Sequence, residues 1–225
     1  MTQTVRTLAT LQGTTFADGQ GAGAITPSDL RDLIASVYGT AGTDFVWRDL
    51  IGQIDTRGTG TNDPAWTLIT GSTSMWAHVF SATVMQQFWT TFHINHDWAG
   101  TPIYPHIHWF NAAAAPNTGN VVWGFEYVVA KGHNQQAFPL TATTTVYVTQ
   151  ACPATRYQHM IAEVALADVI PITNIEVDSL IHMRVFRDAT NVADTCTDQV
   201  FGLMADCHYQ ASQIGTKNKA PNFNT

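Results

Sequence analysis

The sequence predicts an all-β fold, a jelly-roll-like β-sandwich that follows a short N-terminal arm and one α-helix. From residue 44 onward, apolar residues alternate with polar or smaller ones, which is the period of a strand with one buried face. Clusters rich in Gly, Asn, Asp and Pro separate about ten such segments. The strands do not alternate with helices and the sequence shows no internal repeat. We therefore expect two packed antiparallel sheets rather than a parallel sheet or a propeller.

The chain of 225 residues divides into three predicted parts. Residues 1–43 form an arm and a docking helix, residues 44–210 the sandwich, and residues 211–225 an extended polar tail. The arm is predicted from the Gly-rich stretch GTTFADGQGAG, which has no sustained periodicity. All-β sandwiches of this length often form a single domain, so one core is expected.

The clearest helix in the sequence begins directly after the arm. Thr26 is suited to cap it, Pro27 fits the first helical position, and Asp29 lies near the positive end of the helix dipole. Gly39 is placed to end it. About three turns are too short to be stable alone, so the apolar stripe of this helix must pack on another surface. That surface is either another chain or an edge of the chain's own sandwich. The predicted docking stripe consists of Ile25, Leu30, Leu33, Ile34 and Val37.

The composition predicts a protein that covers much of its surface with other chains. Charged residues make up 12% of the sequence and hydrophobic residues 45%, with a net charge of −7. No Lys or Arg occurs between Arg57 and Lys131, which argues against nucleic-acid binding. The N-terminus lacks the apolar core of a signal peptide, and no run approaches the roughly 18 apolar residues that cross a membrane. Synthesis in a cytoplasm, without a membrane partner, is the expectation.

Three cysteines, Cys152, Cys196 and Cys207, are too few and too irregularly spaced to predict a disulfide framework or a zinc knuckle. Their number is odd and no CxxC pair occurs.

His106 and His108 are the strongest candidates for site chemistry. They occupy alternate positions of the segment YPHIHWF, so both side chains point to the same side of a strand. Two such histidines with a third ligand can bind Zn or Fe. Three interpretations stay open: hydrogen bonding on a strand face, a structural metal ion shared on the threefold axis of a trimer, and a catalytic metal of cupin type. The cupin pattern requires a Glu shortly after the second His, whereas the first carboxylate here is Glu126. No other cofactor is expected.

No sequence motif of a known catalytic machinery occurs. A nucleophile elbow, a P-loop, a dinucleotide fingerprint and an H-E-x-x-H motif are all missing from the sequence. Glycoside hydrolysis requires two carboxylates that face one cleft, and no spacing singles out such a pair. The possible members are Asp97, Glu126, Glu163 and Asp206. We therefore predict that the chain is not an enzyme.

The seven tryptophans divide into predicted core and predicted surface positions. Trp47, Trp89 and Trp123 lie in strongly apolar strands and are expected in the core. Trp98 lies in the segment HDWAGTPIY, which reads as a loop. It is therefore the candidate for contact with a carbohydrate.

Two stretches resemble virion proteins of tailed bacteriophages. The segment TTFADGQGAGAITPSDLRDLIASVYG (14–39) resembles a short module near the start of many phage tail-fibre, spike and head-decoration proteins. The later segments YPHIHWF, VVWGFEYVVAKG and LIHMRVFRD are similar in order and character to jelly-roll virion proteins. The resemblance implies a homotrimer whose N-terminal arm and helix attach to the particle.

The expected function is that of a non-enzymatic virion structural protein. The resemblance implies a trimeric capsid decoration or cement protein that is assembled in the host bacterial cytoplasm and stabilises the particle. Its partners would be its own copies and a major capsid protein or a tail or neck protein. Two alternatives remain: a tail or receptor-binding protein that recognises carbohydrate, and a cupin-like metal-dependent enzyme. The sequence contains no extended repetitive shaft, which favours a compact knob over a full fibre.

Overall fold

The computed structural model describes residues 25–34, 45–52, 54–56 and 62–212. The predicted arm and most of the predicted tail lie outside these ranges, as do the stripe residue Val37 and the predicted helix end at Gly39.

One α-helix and ten strands form the described structure. The helix, α1, spans residues 27–34. Two short 3-10 helices, Leu166–Asp168 and Ile172–Asn174, precede the strand Leu180–Arg187. The strands are β1 (Val46–Ile51), β2 (Ala65–Leu68), β3 (Trp76–Phe80), β4 (Gln86–His93), β5 (Tyr104–Asn111), β6 (Asn120–Ala130), β7 (Thr144–Ala151), β8 (Met160–Glu163), β9 (Leu180–Arg187) and β10 (Val200–Ala211).

The strands form two antiparallel sheets that pack face to face. The front sheet has the order β2-β3-β10-β5-β8, and β1 also pairs with β10. The back sheet has the order β4-β9-β6-β7. From β3 to β10, the orders 3-10-5-8 and 4-9-6-7 interleave the chain between the two sheets, which is the double Greek key of a jelly roll. The predicted fold is confirmed.

The core lies between the two sheets and follows the alternation seen in the sequence. On β6, Val121, Trp123 and Phe125 are fully buried and face the core side chains of the front sheet. Trp123 meets Phe80 of β3 edge to face, with ring centroids 5.1 Å apart. The opposite side of β6 is also covered, because the ring of Phe186 lies directly over its Gly124. This double coverage explains why β6 is apolar on both faces.

Helix α1 begins as the sequence predicts. The Thr26 hydroxyl accepts a hydrogen bond from the Asp29 backbone N–H at 3.2 Å, and the Asp29 carboxylate accepts one from the Thr26 N–H at 2.9 Å. This reciprocal pair is a capping box. Of the predicted docking stripe, Ile25, Leu30 and Ile34 are exposed and Leu33 is partly buried. Their docking role stays a prediction.

A disulfide that the cysteine spacing does not predict joins Cys152 and Cys196. Cys152 follows β7 and Cys196 lies in the β9–β10 loop, 44 positions later. Both backbone N–H groups bond to the start of β6, to the carbonyls of Gly119 and Asn120. Tertiary pairing therefore brings the two cysteines together, and no local spacing announces it. Cys207 is buried in the core as a free thiol.

Arg187, the last residue of β9, is fully buried and ties the β9–β10 loop to the sandwich. Its guanidinium donates to both carboxylate oxygens of Asp194, at 3.0 and 2.8 Å. It also donates to the carbonyls of Cys196 and Asp198, at 2.6 and 2.8 Å. Asp194 in turn accepts a hydrogen bond from the Val122 backbone N–H of β6 at 3.1 Å. The pair is therefore removed from water and closely matched by hydrogen bonds.

Removing one partner of the Arg187–Asp194 pair is expected to destabilise the fold strongly. Arg187→Met leaves the buried Asp194 carboxylate without its cation and should lower the free energy of unfolding by about 3–5 kcal/mol. Arg184→Met is the matched control on the same strand, because Arg184 forms a partly exposed pair with Glu126. That change should cost about 1 kcal/mol or less. Urea unfolding measures both variants, and equal losses would contradict this assignment.

Candidate functional site

The outer face of the front sheet carries a group of histidines and carboxylates, here called the front cluster. The pairing registers bring it together across four strands: His106 of β5 lies opposite Asp206 of β10 and Glu163 of β8, and Asp49 of β1 lies opposite His208 of β10. Side chains two positions apart on a strand share a face, which adds His108. The front cluster consists of Asp49, His106, His108, His159, Glu163, Asp206 and His208.

His106 lies at the centre of the front cluster and is fully buried. Its Nε2 is 2.6 Å from Oδ1 of Asp206, and its Nδ1 is 3.3 Å from the carbonyl oxygen of Tyr104. The His208 ring covers it, with ring centroids 4.0 Å apart. An outward-facing histidine is thus enclosed by its own neighbours on the sheet.

His108 points to the same carboxylate oxygen as His106. Its Nε2 is 3.1 Å from Oδ1 of Asp206, and its Nδ1 is 2.7 Å from Nε2 of His159. The sequence-based expectation that His106 and His108 share a face of a strand thus agrees with their positions. Three ligand-type atoms, two imidazole nitrogens and one carboxylate oxygen, converge within 4.8 Å of one another.

The short contact between His106 and Asp206 is not a well-formed hydrogen bond. Nε2 of His106 and Oδ1 of Asp206 are both buried, and neither has a hydrogen-bond partner of acceptable geometry among the described residues. A buried polar atom without such a partner costs free energy. The site therefore favours a cation or a proton between these atoms.

The two histidines respond to this environment in opposite directions. Burial lowers the pKa of His106, but the Asp206 carboxylate outweighs it and the pKa is raised above its usual value. For His108, burial lowers the pKa more than the Asp206 carboxylate raises it. The charges of the neighbouring His106 and His159 lower it further, so the pKa lies below its usual value.

His208 forms the outer and more exposed part of the front cluster. Its Nε2 is 3.1 Å from Oδ1 of Asp49, and its Nδ1 contacts Oε2 of Glu163. Asp49, His106 and His208 also bring three ligand-type atoms within 4.8 Å of one another. The two candidate ligand groups share His106.

An apolar pocket adjoins the front cluster. It has a volume of about 500 Å³ and its wall includes Met75, Phe110, Tyr157 and Leu203. His159 also lines this pocket while contacting His108, so it connects the apolar surface to the cluster. The Tyr157 hydroxyl does not point freely into the pocket, because it donates to the Thr70 carbonyl at 2.6 Å.

A second histidine group surrounds Asp178 in the turn before β9. Nε2 atoms of His93 and His96 lie 3.0 and 3.3 Å from Oδ1 of Asp178, and Nε2 of His133 lies 2.7 Å from Oδ2. Partial burial raises the pKa of Asp178, but the hydrogen bond from His133 and the charges of His96 and His93 lower it below its usual value. One carboxylate thus contacts one histidine at the end of β4 and two loop histidines.

The structure places the tryptophans partly against expectation. Trp98 lies in a loop but is half-buried against the core, and its Nε1 donates to the Thr101 carbonyl at 2.9 Å. Trp123 is buried as predicted, and Trp89 is partly buried. Trp47 is exposed rather than buried, because β1 presents it on the outer face of the front sheet beside Tyr104. The prediction for Trp47 was wrong.

Asp178→Asn tests whether the carboxylate holds the histidine group. Asn also tolerates the positive φ of 65° at this position. We expect the free energy of unfolding to fall by about 0.5–1 kcal/mol near pH 6. The loss is small because solvent screens the partly exposed contacts between Asp178 and the histidines. Because the folded-state pKa of Asp178 is lowered, its stabilisation is present above the usual value of 3.8 and is lost as pH falls below it.

Urea unfolding of both proteins across that pH range is the measurement, and exposed Asp168→Asn is the control. A difference between wild type and Asp178→Asn that persists unchanged at low pH would contradict the assignment.

No protein-family model matches the sequence, and no curated protein matches it. Among solved structures, the mannan-recognising carbohydrate-binding module TmCBM27 is 9% identical over 72% of this chain and 88% of its own, with a TM-score of 0.31. TmCBM61, solved with β-1,4-galactotriose, is 8% identical over 78% of this chain and 94% of its own, with a TM-score of 0.27. The VP2 subviral particle protein of infectious bursal disease virus is 13% identical over 67% of this chain and 38% of its own, with a TM-score of 0.30. The fold assignment depends on the strand order and not on these values.

Proposed function

We propose that this chain is a non-enzymatic structural protein of a bacteriophage particle, a homotrimer that decorates and stabilises the capsid. One observation carries the proposal: the outer face of the front sheet exposes apolar side chains in a chain with only 12% charged residues. Large exposed apolar surfaces on soluble proteins mark sites of contact with other molecules.

The exposed apolar side chains surround the front cluster. They include Trp47 and Ile51 on β1, Ile161 on β8 and Leu203 at the bulge of β10. Ile51 is 71% exposed, although it lies directly opposite the buried Asp206. Covering such a surface stabilises a contact, since apolar surface that is removed from water contributes roughly 25 cal/mol per Å² to the free energy of association.

This face also lacks the cations that usually keep a surface solvated. The six strands of the front sheet contain a single Lys or Arg, Arg48. Its guanidinium is 2.6 Å from the Asp97 carboxylate, in the loop between β4 and β5. Protein–protein interfaces are depleted of Lys relative to the rest of the surface.

The proposed occupant of this face is a second copy of the same chain. Homo-oligomers with closed symmetry are the commonest soluble assemblies, and closure of a ring buries the same face in every copy. The number three comes from the resemblance of the N-terminal segment to phage modules. Each copy brings both imidazoles and carboxylates to the contact. When two copies meet, the imidazoles of one can therefore face the carboxylates of the other, and this attraction offsets the repulsion between carboxylates.

The helix and the arm are proposed to attach this trimer to the particle. Of the docking stripe, Leu30 and Ile34 are exposed on α1, and Ile25 is exposed just before it. The partner would be the major capsid protein or a tail or neck protein, and an arm that lies across it would add avidity to a small contact. No helix in the described part of the chain is long and apolar enough to cross a membrane.

The mass of the full-length chain in solution tests the oligomer. We expect three times the chain mass of 24.6 kDa at micromolar concentration. Ile51→Asp places a charge in the apolar contact and should weaken association by at least about tenfold, the effect of 1.4 kcal/mol. Light scattering after size-exclusion chromatography measures both.

Val192→Asp is the matched control, because Val192 is 95% exposed in the β9–β10 loop and outside the front sheet. It should associate as the wild type does. A monomeric wild type, or an Ile51→Asp variant that associates normally, would overturn the proposal.

Carbohydrate recognition is a second candidate function, favoured by two tryptophans at the β2–β3 edge. Trp66 is 61% exposed and Trp76 is 51% exposed. Trp66 pairs with His78 and Trp76 with Leu68 across the two strands, so both indoles lie on one face. Exposed neighbouring rings offer the flat apolar surface on which a sugar ring stacks. This pair replaces Trp98, whose ring is half-buried and whose Nε1 is already bonded.

A glycan array with the full-length chain tests this alternative. If the chain recognises sugars, Trp66→Ala should reduce the signal at least tenfold, whereas Trp47→Ala should not, because Trp47 lies on the opposite face of the front sheet. An array without signal, or equal losses in the two variants, would exclude these rings as the recognition surface.

A further inference from the structure

We propose that His106, His108 and Asp206 of a single chain bind one divalent transition-metal ion of the zinc class. Nε2 of His106 and Nε2 of His108 lie 2.6 and 3.1 Å from the same oxygen, Oδ1 of Asp206. Two imidazole nitrogens and a carboxylate oxygen are a common ligand set for such ions. The site is independent of the proposed function and does not require a trimer.

The contacts on the far side of each ring bear on which ring nitrogen carries the proton. Nδ1 of His106 is 3.3 Å from the Tyr104 carbonyl oxygen, an atom that can only accept, so Nδ1 carries the proton of the neutral ring. Nδ1 of His108 is 2.7 Å from Nε2 of His159, and either nitrogen of this pair can donate. Metal binding selects the tautomer in which Nδ1 of His108 donates and its Nε2 keeps a lone pair. Outer hydrogen bonds of this kind orient metal-binding histidines.

In these tautomers, both Nε2 atoms direct lone pairs toward the Asp206 oxygen. Three acceptor atoms then face one another with no hydrogen between them. Nε2 of His106 and Oδ1 of Asp206 are buried, and neither has a partner with hydrogen-bond geometry. The two atoms therefore do not share a proton in a well-formed hydrogen bond. A cation that all three atoms contact removes this repulsion and satisfies both buried atoms at once.

The dimensions of the group suit a small ion after a small adjustment. Ligand atoms about 2.0–2.1 Å from a tetrahedral ion lie about 3.3 Å from one another. The contact of 2.6 Å between His106 and Asp206 must therefore lengthen by less than 1 Å, and the contact of 3.1 Å with His108 hardly changes. Calcium and magnesium prefer sites made only of oxygen ligands, so the two imidazoles select against them.

Two neighbouring alternatives make different demands on the residues. The group of Asp49, His106 and His208 is more exposed, and the nitrogens of its His208 already contact Asp49 and Glu163. An ion on a threefold axis requires His106 and His108 to reach out of the chain. The His106 side chain is 0% exposed and that of His108 17%, so side chains of their own chain enclose both rings.

Titration of the chelator-treated, full-length chain with ZnCl2 tests the proposal. Calorimetry should give one ion per chain, and CoCl2 in its place should produce visible absorption bands from imidazole and carboxylate coordination. Asp206→Asn and His108→Gln should each weaken Zn²⁺ binding by at least about 100-fold, since even outer partners of a metal site contribute 10–100-fold. Asp49→Asn is the matched control, because Asp49 contacts His208 rather than a proposed ligand, and it should lose much less affinity than Asp206→Asn.

Circular dichroism reports whether each variant is folded. The wild type alone can also distinguish the proposed site from an ion on a threefold axis. X-ray absorption of the Zn²⁺-loaded wild type should count two imidazole nitrogens, and this needs no variant. No saturable binding would mean that a proton occupies the site and would overturn the proposal. One ion per three chains, or a larger loss in Asp49→Asn than in Asp206→Asn, would overturn it as well.

Discussion

The pairing of β10 is the constraint on which the rest of the structure depends. β10 is hydrogen bonded to β5 along one edge and to β3 and β1 along the other. Its inward side chains, including Ala205, Cys207 and Tyr209, belong to the core. Its outward side chains, Asp206 and His208, belong to the front cluster. A slip of one residue would exchange the two sets, so the core itself holds Asp206 opposite His106.

A bulge between Gly202 and Met204 sets this register. It adds one residue to β10 relative to β5 and places Leu203 in the wall of the apolar pocket. The first part of β10 therefore pairs with β3 and packs over Phe80, while the second part carries the carboxylate. The same strand thus supplies the core, the pocket and the front cluster, each from a different segment.

The chain places several of its scarce charges inside and leaves apolar groups outside. Arg187 and Asp194 are fully buried and matched by hydrogen bonds, and Asp206 is buried beside His106. Meanwhile Ile51 and Trp66 are largely exposed. Buried charges persist only where they are closely paired, and exposed apolar groups are stabilised only when something covers them. This distribution favours a protein that is completed by contact with other molecules.

Local patterns in the sequence predicted the fold better than the site. The period-two alternation around Trp123 gave the core face of β6, and Thr26 with Asp29 gave the helix start, because both depend on neighbouring residues. The spacing of His106 and His108 also gave their common face. Asp206 lies 100 positions after His106, and only sheet pairing joins them. The disulfide and the exposure of Trp47 depend equally on tertiary neighbours, so no local signal revealed them.

The central claim is that the outer face of the front sheet is a contact surface between copies of this chain. A cryo-electron microscopy reconstruction of the phage particle that we propose contains this chain tests it most directly. The account predicts three jelly rolls about a local threefold axis, with Ile51 and Leu203 buried against a neighbouring copy and α1 on the capsid or tail. A particle without this chain, or one in which the front sheet faces solvent, would contradict it.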